Sequence, residues 1–293
     1  MKEIVIISGK GGTGKTSIAA SFVYLGGSDV VVADCDVDAA DMFLLLQPDF
    51  AKTEDFFSGK IANINQDKCI ICGNCNNICR FNAIPLINEQ YIVNSLNCEG
   101  CGYCARICES GAITMEEQNI GKWYISSTRA GNTMVHARLG IGAENSGKLV
   151  AKVKNEAKQF AKNNNKDIVI VDGSPGIGCP VISSLSGADF VILVAEPTVS
   201  GIHDLKRVNK LVNKFNIRTG CIINKYDLNT KISQKITDYL KNENIIQISC
   251  LPYNDIFSEA MTNGQTVVEF NRNNNINELL LTSWNKIKEL LYD

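Results

Sequence analysis

Gly9-Lys10-Gly11-Gly12-Thr13-Gly14-Lys15-Thr16, set directly behind the apolar run Ile4–Ser8, is a complete G-x-x-x-x-G-K-[ST] loop. Glycines at these positions allow a tight turn whose backbone N–H groups face inward at phosphate oxygens. A helix beginning near Lys15 adds its positive end. Lys15 is expected to pair with β- and γ-phosphates, the Thr16 hydroxyl to bind Mg²⁺, and Gly9, Gly11, Gly12, Thr13, Gly14 and Ser17 to complete the cradle. A glycine-rich turn without a ligand is the plainer reading. The strand before and the helix after count against it.

Outward from this loop, short apolar runs alternate with helix patterns. Strands are expected at Ile4–Ser8, Val30–Ala33, Ile168–Val171, Phe190–Val194, Cys221–Ile223 and Ile245–Leu251, with helices at Lys148–Lys162 and Ile202–Phe215. Nearly continuous apolar runs suit parallel strands buried on both faces, so the fold class is α/β, a doubly wound and mostly parallel sheet. Ligands in such folds sit at the carboxyl edge. Two expected strands deliver carboxylates there, as Asp34-Cys35-Asp36-Val37-Asp38 and as Asp172-Gly173-Ser174-Pro175-Gly176. Carboxylates at that edge can orient a water or hold Mg²⁺ through its waters; for Asp34 and Asp38 solvated loop charges are the alternative reading. A third strand ends in Asn224-Lys225-Tyr226-Asp227, an N-K-x-D pattern that by itself favours GTP.

Lys10 sharpens the reading. The G-K-G-G-x-G-K-[ST] form resembles the deviant Walker A motif of the MinD/ParA/Mrp ATPases and the nitrogenase iron protein. The resemblance implies that Lys10 reaches across a dimer interface to the partner's nucleotide, in a sandwich with a second copy or a paralogous ATPase. It also implies that Asp36 positions the attacking water, that Asp172 is the Walker B aspartate, and that Asn224 reads adenine. Pro252 and Tyr253 would close over the ring, making ATP and ADP the nucleotides.

Of twelve cysteines, eight form two matching runs: Cys69, Cys72, Cys75 and Cys79, then Cys98, Cys101, Cys104 and Cys108. C-x₂-C-x₂-C-x₃-C, repeated, is the bacterial two-cluster ferredoxin spacing, in which each fourth cysteine ligates the other cluster. Two [4Fe–4S] clusters are expected, one on Cys69, Cys72, Cys75 and Cys108, the other on Cys98, Cys101, Cys104 and Cys79. Zinc is the alternative, but zinc sites more often pair two C-x₂-C units per metal. Arg80 and Glu109 stand where the pattern has proline. The runs belong to an inserted α+β ferredoxin-like domain at 59–118, with the ATPase domain at 1–58 and 119–293. Polar stretches Thr53–Lys60 and Glu116–Lys122 are its expected joints. Cys221 and Cys250 read as core residues, Cys35 as turned away from its flanking aspartates, and Cys179 as a lesser candidate for a shared cluster.

The 29 Lys and Arg nearly balance 31 Asp and Glu, giving a net charge of −2 and no electrostatic case for nucleic acid or anionic lipid. No apolar run reaches the ~20 residues of a membrane span, and no signal peptide precedes the first strand. A cytoplasmic location is expected. His136 begins a polar segment leading to a helix capped by Asn145 or Ser146, and His203 reads as structural. The apolar stripe Ile276, Leu279, Leu280, Trp284, Ile287 and Leu291 is expected to dock on the sheet, since its polar face is balanced rather than basic. Together these features resemble MinD-superfamily ATPases with an inserted ferredoxin domain. The resemblance implies nucleotide-gated electron transfer to a redox or iron–sulfur client. Cluster carriage of the Mrp kind and positioning of the MinD or ParA kind are the alternatives.

Overall fold

The computed structural model describes residues 1–140, 146–270 and 274–292. Strands, in chain order, are β1 (Lys2–Ser8), β2 (Val30–Cys35), β3 (Lys52–Ile64), β4 (Leu86–Ile87), β5 (Gln90–Tyr91), β6 (Ile113–Ser127), β7 (Thr133–Leu139), β8 (Ile168–Gly173), β9 (Phe190–Ala195), β10 (Arg218–Asn224) and β11 (Ile246–Leu251). Helices are α1 (Lys15–Gly26), α2 (Met42–Leu46), α3 (Asn74–Ile78), α4 (Tyr103–Arg106), α5 (Ser146–Asn163), α6 (Cys179–Leu185), α7 (Val199–Asn213), α8 (Thr230–Asn242), α9 (Ile256–Thr262), α10 (Val267–Phe270) and α11 (Asn275–Tyr292). The chain divides into two compact units: Met1–Glu54 with Trp123–Arg138 and Ser146–Asp293, and Asp55–Lys122 with Leu139–Asn145.

In the first unit the sheet is built around β1. Among the described residues the strand order is β11-β10-β9-β1-β8-β2-β7-β6-β3. Neighbours from β11 through β7 are parallel. Ile4–Ile7, Val30–Ala33 and Val169–Val171 are almost wholly buried, because helices cover both faces and every side chain along these strands meets apolar neighbours. Register places Ile6 beside Asp172 and Asp34 beside Asp172. The carboxyl ends of β1, β2 and β8 therefore meet at one edge.

Helix α11 lays Ile276, Leu280, Trp284, Ile287 and Leu291 into the main core, with Leu279 partly buried against it. Trp284 stacks on Phe22 of α1 at 5.7 Å between ring centroids. The stripe is thus core, and no described helix is long and apolar enough to cross a membrane.

Three strands of the large sheet escape the sequence reading, as do the short β4 and β5. β7 is interrupted by His136 and Arg138, and β3 and β6 alternate polar with apolar residues, so none shows a continuous apolar run. The expected joints Thr53–Lys60 and Glu116–Lys122 lie within β3 and β6, whose charged side chains face solvent there while Ser58 is buried. β3 and β6 run on from the first unit into the second.

His136 is buried, its Nε2 lies 3.0 Å from Ser126 Oγ, and its ring stacks on Tyr124 and meets Phe50 edge-on. Burial, with Arg138 nearby, lowers its pKa to about 4. An unfolded chain would take up this proton below about pH 6.5, so stability falls as pH drops from there toward 4, by roughly 3 kcal/mol. His136→Gln protein is expected to lose about that much less stability than wild type between pH 7 and pH 4 in urea titrations. His203, expected to be structural, is exposed, 3.4 Å from Asp204. α5 begins at Ser146, so the proposed cap Asn145 falls outside the described residues.

The second unit holds a small core of Ala62, Ile64, Ala83, Ile84 and Ile113 together with Cys75 and Cys104. α3 and α4 follow the second cysteine of each run at the same spacing, so the sequence repeat is also a structural one. β4 and β5 pair antiparallel across Asn88-Glu89, both at positive φ, as a two-residue hairpin turn requires.

Candidate nucleotide site and cysteine cavities

The loop between β1 and α1 is shaped by two steric facts. Gly14 has φ +88°, and a Cβ there would fall 2.4 Å from Asn224 Nδ2. A Cβ on Gly9 would fall 2.6 Å from the backbone of Asp204 in α7. Neither position admits a side chain. Lys15, buried at the start of α1, bonds Asp172 Oδ1 at 2.7 Å and lies 3.5 Å from Asp36 Oδ2 and 3.3 Å from Thr16 Oγ1. Ser17 is buried in the same turn.

Asp172 and Asp36 thus flank the Lys15 ammonium, and Asp34 is near enough to act on its charge. Burial and the neighbouring Asp172 push the Asp34 carboxyl well above its usual range, and burial raises Asp36 as well. Burial works against the charge on Lys15, yet Asp172 and Asp36 outweigh it and raise its pKa. Asp34 is therefore no solvated loop charge; it is 1% exposed, whereas Asp38 is exposed. Asp34 Oδ2, Asp172 Oδ2 and Thr13 Oγ1 are buried without a hydrogen-bond partner among the described residues. Surplus negative charge and orphaned oxygens beside a phosphate loop fit a divalent cation.

Lys10 is turned inward. Its Nζ pairs with Glu196 Oε1 and lies 3.2 Å from both Thr198 Oγ1 and Ser200 Oγ. Asn224 is buried; its amide donates to Thr13 O at 2.8 Å, and its Oδ1 accepts from the Lys225 N–H. Lys225 Nζ bonds Gly12 O at 3.0 Å. Asn224 and Lys225 thus brace the phosphate loop. Asp227 accepts from the backbone N–H of Tyr253 at 2.7 Å, and the Tyr253 ring stays half exposed beside Pro252. Glu196, Thr198 and Ser200 were missed because only the adjacency of β9 to β1 brings them to the loop.

In the cysteine unit the thiols ring two cavities. One, of about 410 Å³, is lined by Cys79, Cys98, Cys101 and Cys104; the other, about 20 Å³, by Cys69, Cys72, Cys75 and Cys108. Each cavity thus takes three thiols from one run and the fourth from the other. None of the twelve cysteines is in a disulfide. Cys79 Sγ accepts from the Ala83 N–H at 3.3 Å. Burial alone would raise the Cys108 thiol, but Ser110 and backbone N–H groups bring it below its usual value. Among the described residues no group of three or more His, Cys, Asp or Glu side chains closes on a single-ion site. Cys35 turns to Val150 O, away from Asp34 and Asp36, while Cys221 is buried, Cys250 half-buried and Cys179 exposed.

A family model described as the CobQ/CobB/MinD/ParA nucleotide binding domain matches residues 4–267. The chain belongs to that family. Among its relatives, the uncharacterized protein MJ0578 of Methanocaldococcus jannaschii is 37% identical over 229 residues, covering 78% of this chain and 79% of that one. A second protein of that organism, MJ0579, is 30% identical over 276 residues, covering 87% and 95%. The fold is similar to the septum site-determining protein MinD of Pyrococcus horikoshii complexed with Mg-ADP, at TM-score 0.60 and 18% identity, covering 99% of this chain and 96% of that one. It is also similar to a ParA family ATPase of Chlorobium tepidum, at TM-score 0.58 and 16% identity, covering 97% and 98%.

Proposed function

We propose that this protein is an ATP-hydrolysing, dimerising switch of the MinD/ParA kind whose inserted cysteine domain, read as 59–118, holds two [4Fe–4S] clusters and meets a redox or iron–sulfur client. The observation that carries the cluster half is the sorting of eight thiols into two crossed quartets, one around each cavity. That donor set suits cubanes, which spread four thiolates wider than a single zinc ion does. When bound, such clusters supply one-electron chemistry.

In the ATPase half, Lys15 would leave Asp172 for the β- and γ-phosphates. The Thr16 hydroxyl and the freed carboxylates would hold Mg²⁺, which neutralises charge on the transferring phosphoryl group. Asp36, now relieved of Lys15, can orient water. Asp227 is already spent on the Tyr253 N–H, so the carboxylate that would read guanine is used to hold the Pro252-Tyr253 loop instead. This favours ATP, and competition binding should show a preference of at least about tenfold over GTP, worth about 1.4 kcal/mol.

A second reading, positioning without redox work, is favoured by the fold's likeness to MinD and ParA ATPases over nearly the whole chain. On the comparisons alone it leads; the paired cavities bring the cluster reading back. The distinguishing experiment for the switch itself is Lys10→Ala. It is expected to spare nucleotide binding while lowering ATP-dependent dimerisation and turnover by roughly 10²-fold, as loss of one transition-state charge does. A Lys10→Ala monomer that turns over ATP at the wild-type rate would refute the sandwich.

A further inference from the structure

We propose that Glu196, with Thr198 and Ser200, is a latch that holds Lys10 inside its own protomer until a second nucleotide-loaded copy arrives; this rests on the sandwich reading. Lys10 Nζ meets three oxygens from one segment, the Glu196 carboxylate and the hydroxyls of Thr198 and Ser200. A lysine so engaged satisfies all three of its donors and has none left for a phosphate outside its protomer.

The acceptor platform is rigid. Thr198 caps α7 by accepting from the Gly201 N–H at 2.9 Å, and a Cβ on Gly201 would fall 2.3 Å from Glu196 O. The same segment is fixed against the phosphate loop by the close approach of Gly9 to Asp204. Glu196 also faces Lys225 through its second oxygen at 3.4 Å, and Lys225 in turn bonds Gly12 O. One carboxylate therefore ties the trans-acting lysine to the brace of the loop that holds nucleotide. Burial opposes the charge on Glu196, but Lys10 and Lys225 overcome it and hold its carboxyl below the usual range. Breaking this cluster costs the resting protomer a charge-assisted pair, and only a more highly charged acceptor, such as a polyphosphate, can compete for the lysine.

The latch is positioning machinery, so its test must separate release of Lys10 from general loosening. Dimer dissociation constants should be measured by sedimentation with a saturating non-hydrolysable ATP analogue, which removes any effect on nucleotide affinity. Glu196→Gln is expected to tighten the dimer about tenfold, and Ser200→Ala, which leaves Lys225 untouched, about threefold in the same direction. Neither change should matter in a Lys10→Ala background. Dimerisation weakened or unchanged by Glu196→Gln would overturn the latch, as would tightening that persists without Lys10. Wild type remaining monomeric while Glu196→Gln dimerises supports it. Both variants remaining monomeric would sink the sandwich reading, and the latch with it.

Discussion

Lys15→Ala protein is expected to lose nucleotide affinity by at least about 10²-fold and ATP turnover by 10³-fold or more, since among the described residues no other buried cation lies in the phosphate loop. The geometry adds a second consequence. Lys15 is the cation among Asp34, Asp36 and Asp172, so removing it leaves buried carboxylates unpaired. That carries a stability cost of about 3–5 kcal/mol, the usual result of deleting one partner of a buried pair. A binding defect measured on Lys15→Ala alone could therefore be mistaken for unfolding. The double variant Lys15→Ala with Asp172→Asn should recover part of the stability and none of the binding. Calorimetric titration with ATP, alongside urea titration of each variant, separates the two effects.

The cysteine domain gives the other large effect. Anaerobically prepared protein should contain about eight iron and eight sulfide per chain, as two cubanes require. The crossed lining makes a sharper claim about which cysteines act together. Cys79→Ser should damage the same cluster as Cys101→Ser, although Cys79 belongs to the first run, and Cys108→Ser the same cluster as Cys72→Ser. Each variant is expected to lose about half the iron, with one of two paramagnetic signals surviving. Stoichiometric zinc, or pairing that follows sequence order, would refute the assignment.

Much of this was legible in the chain. The six apolar strands were visible because a parallel strand covered on both faces must be apolar along its whole length, and Lys15, Asp36 and Asp172 follow from where those strands end. Asp34 was underrated because its charge suggested solvent, whereas the strand carries it into the core beside Asp172. β3 and β6 escaped because strands with one wet face lack that signature, and β7 because the buried His136 and the exposed Arg138 break its apolar run. Glu196 could not be seen, since nothing in Glu196-Pro197-Thr198 declares that β9 lies next to β1. The bond from the Asn224 amide to the loop carbonyl of Thr13 was equally invisible, since the two residues stand 211 apart in sequence.

What binds the two halves of the account is coupling: the nucleotide cycle should alter how the cysteine domain exchanges electrons. Asp36 and the first cysteine run lie on one stretch of chain, joined through Ala39–Ser58. Any effect of nucleotide on cluster potential must be returned as an equal free-energy effect of cluster oxidation on nucleotide affinity. The most direct measurement is the affinity for ATP of protein with its clusters reduced and then oxidised, together with the midpoint potentials in ATP, ADP and no nucleotide. The account predicts a shift of several-fold in affinity matched by the corresponding shift in potential. Equal affinities and equal potentials in every state, with electron transfer to a co-purifying protein indifferent to ATP, would contradict it and leave the positioning reading in its place.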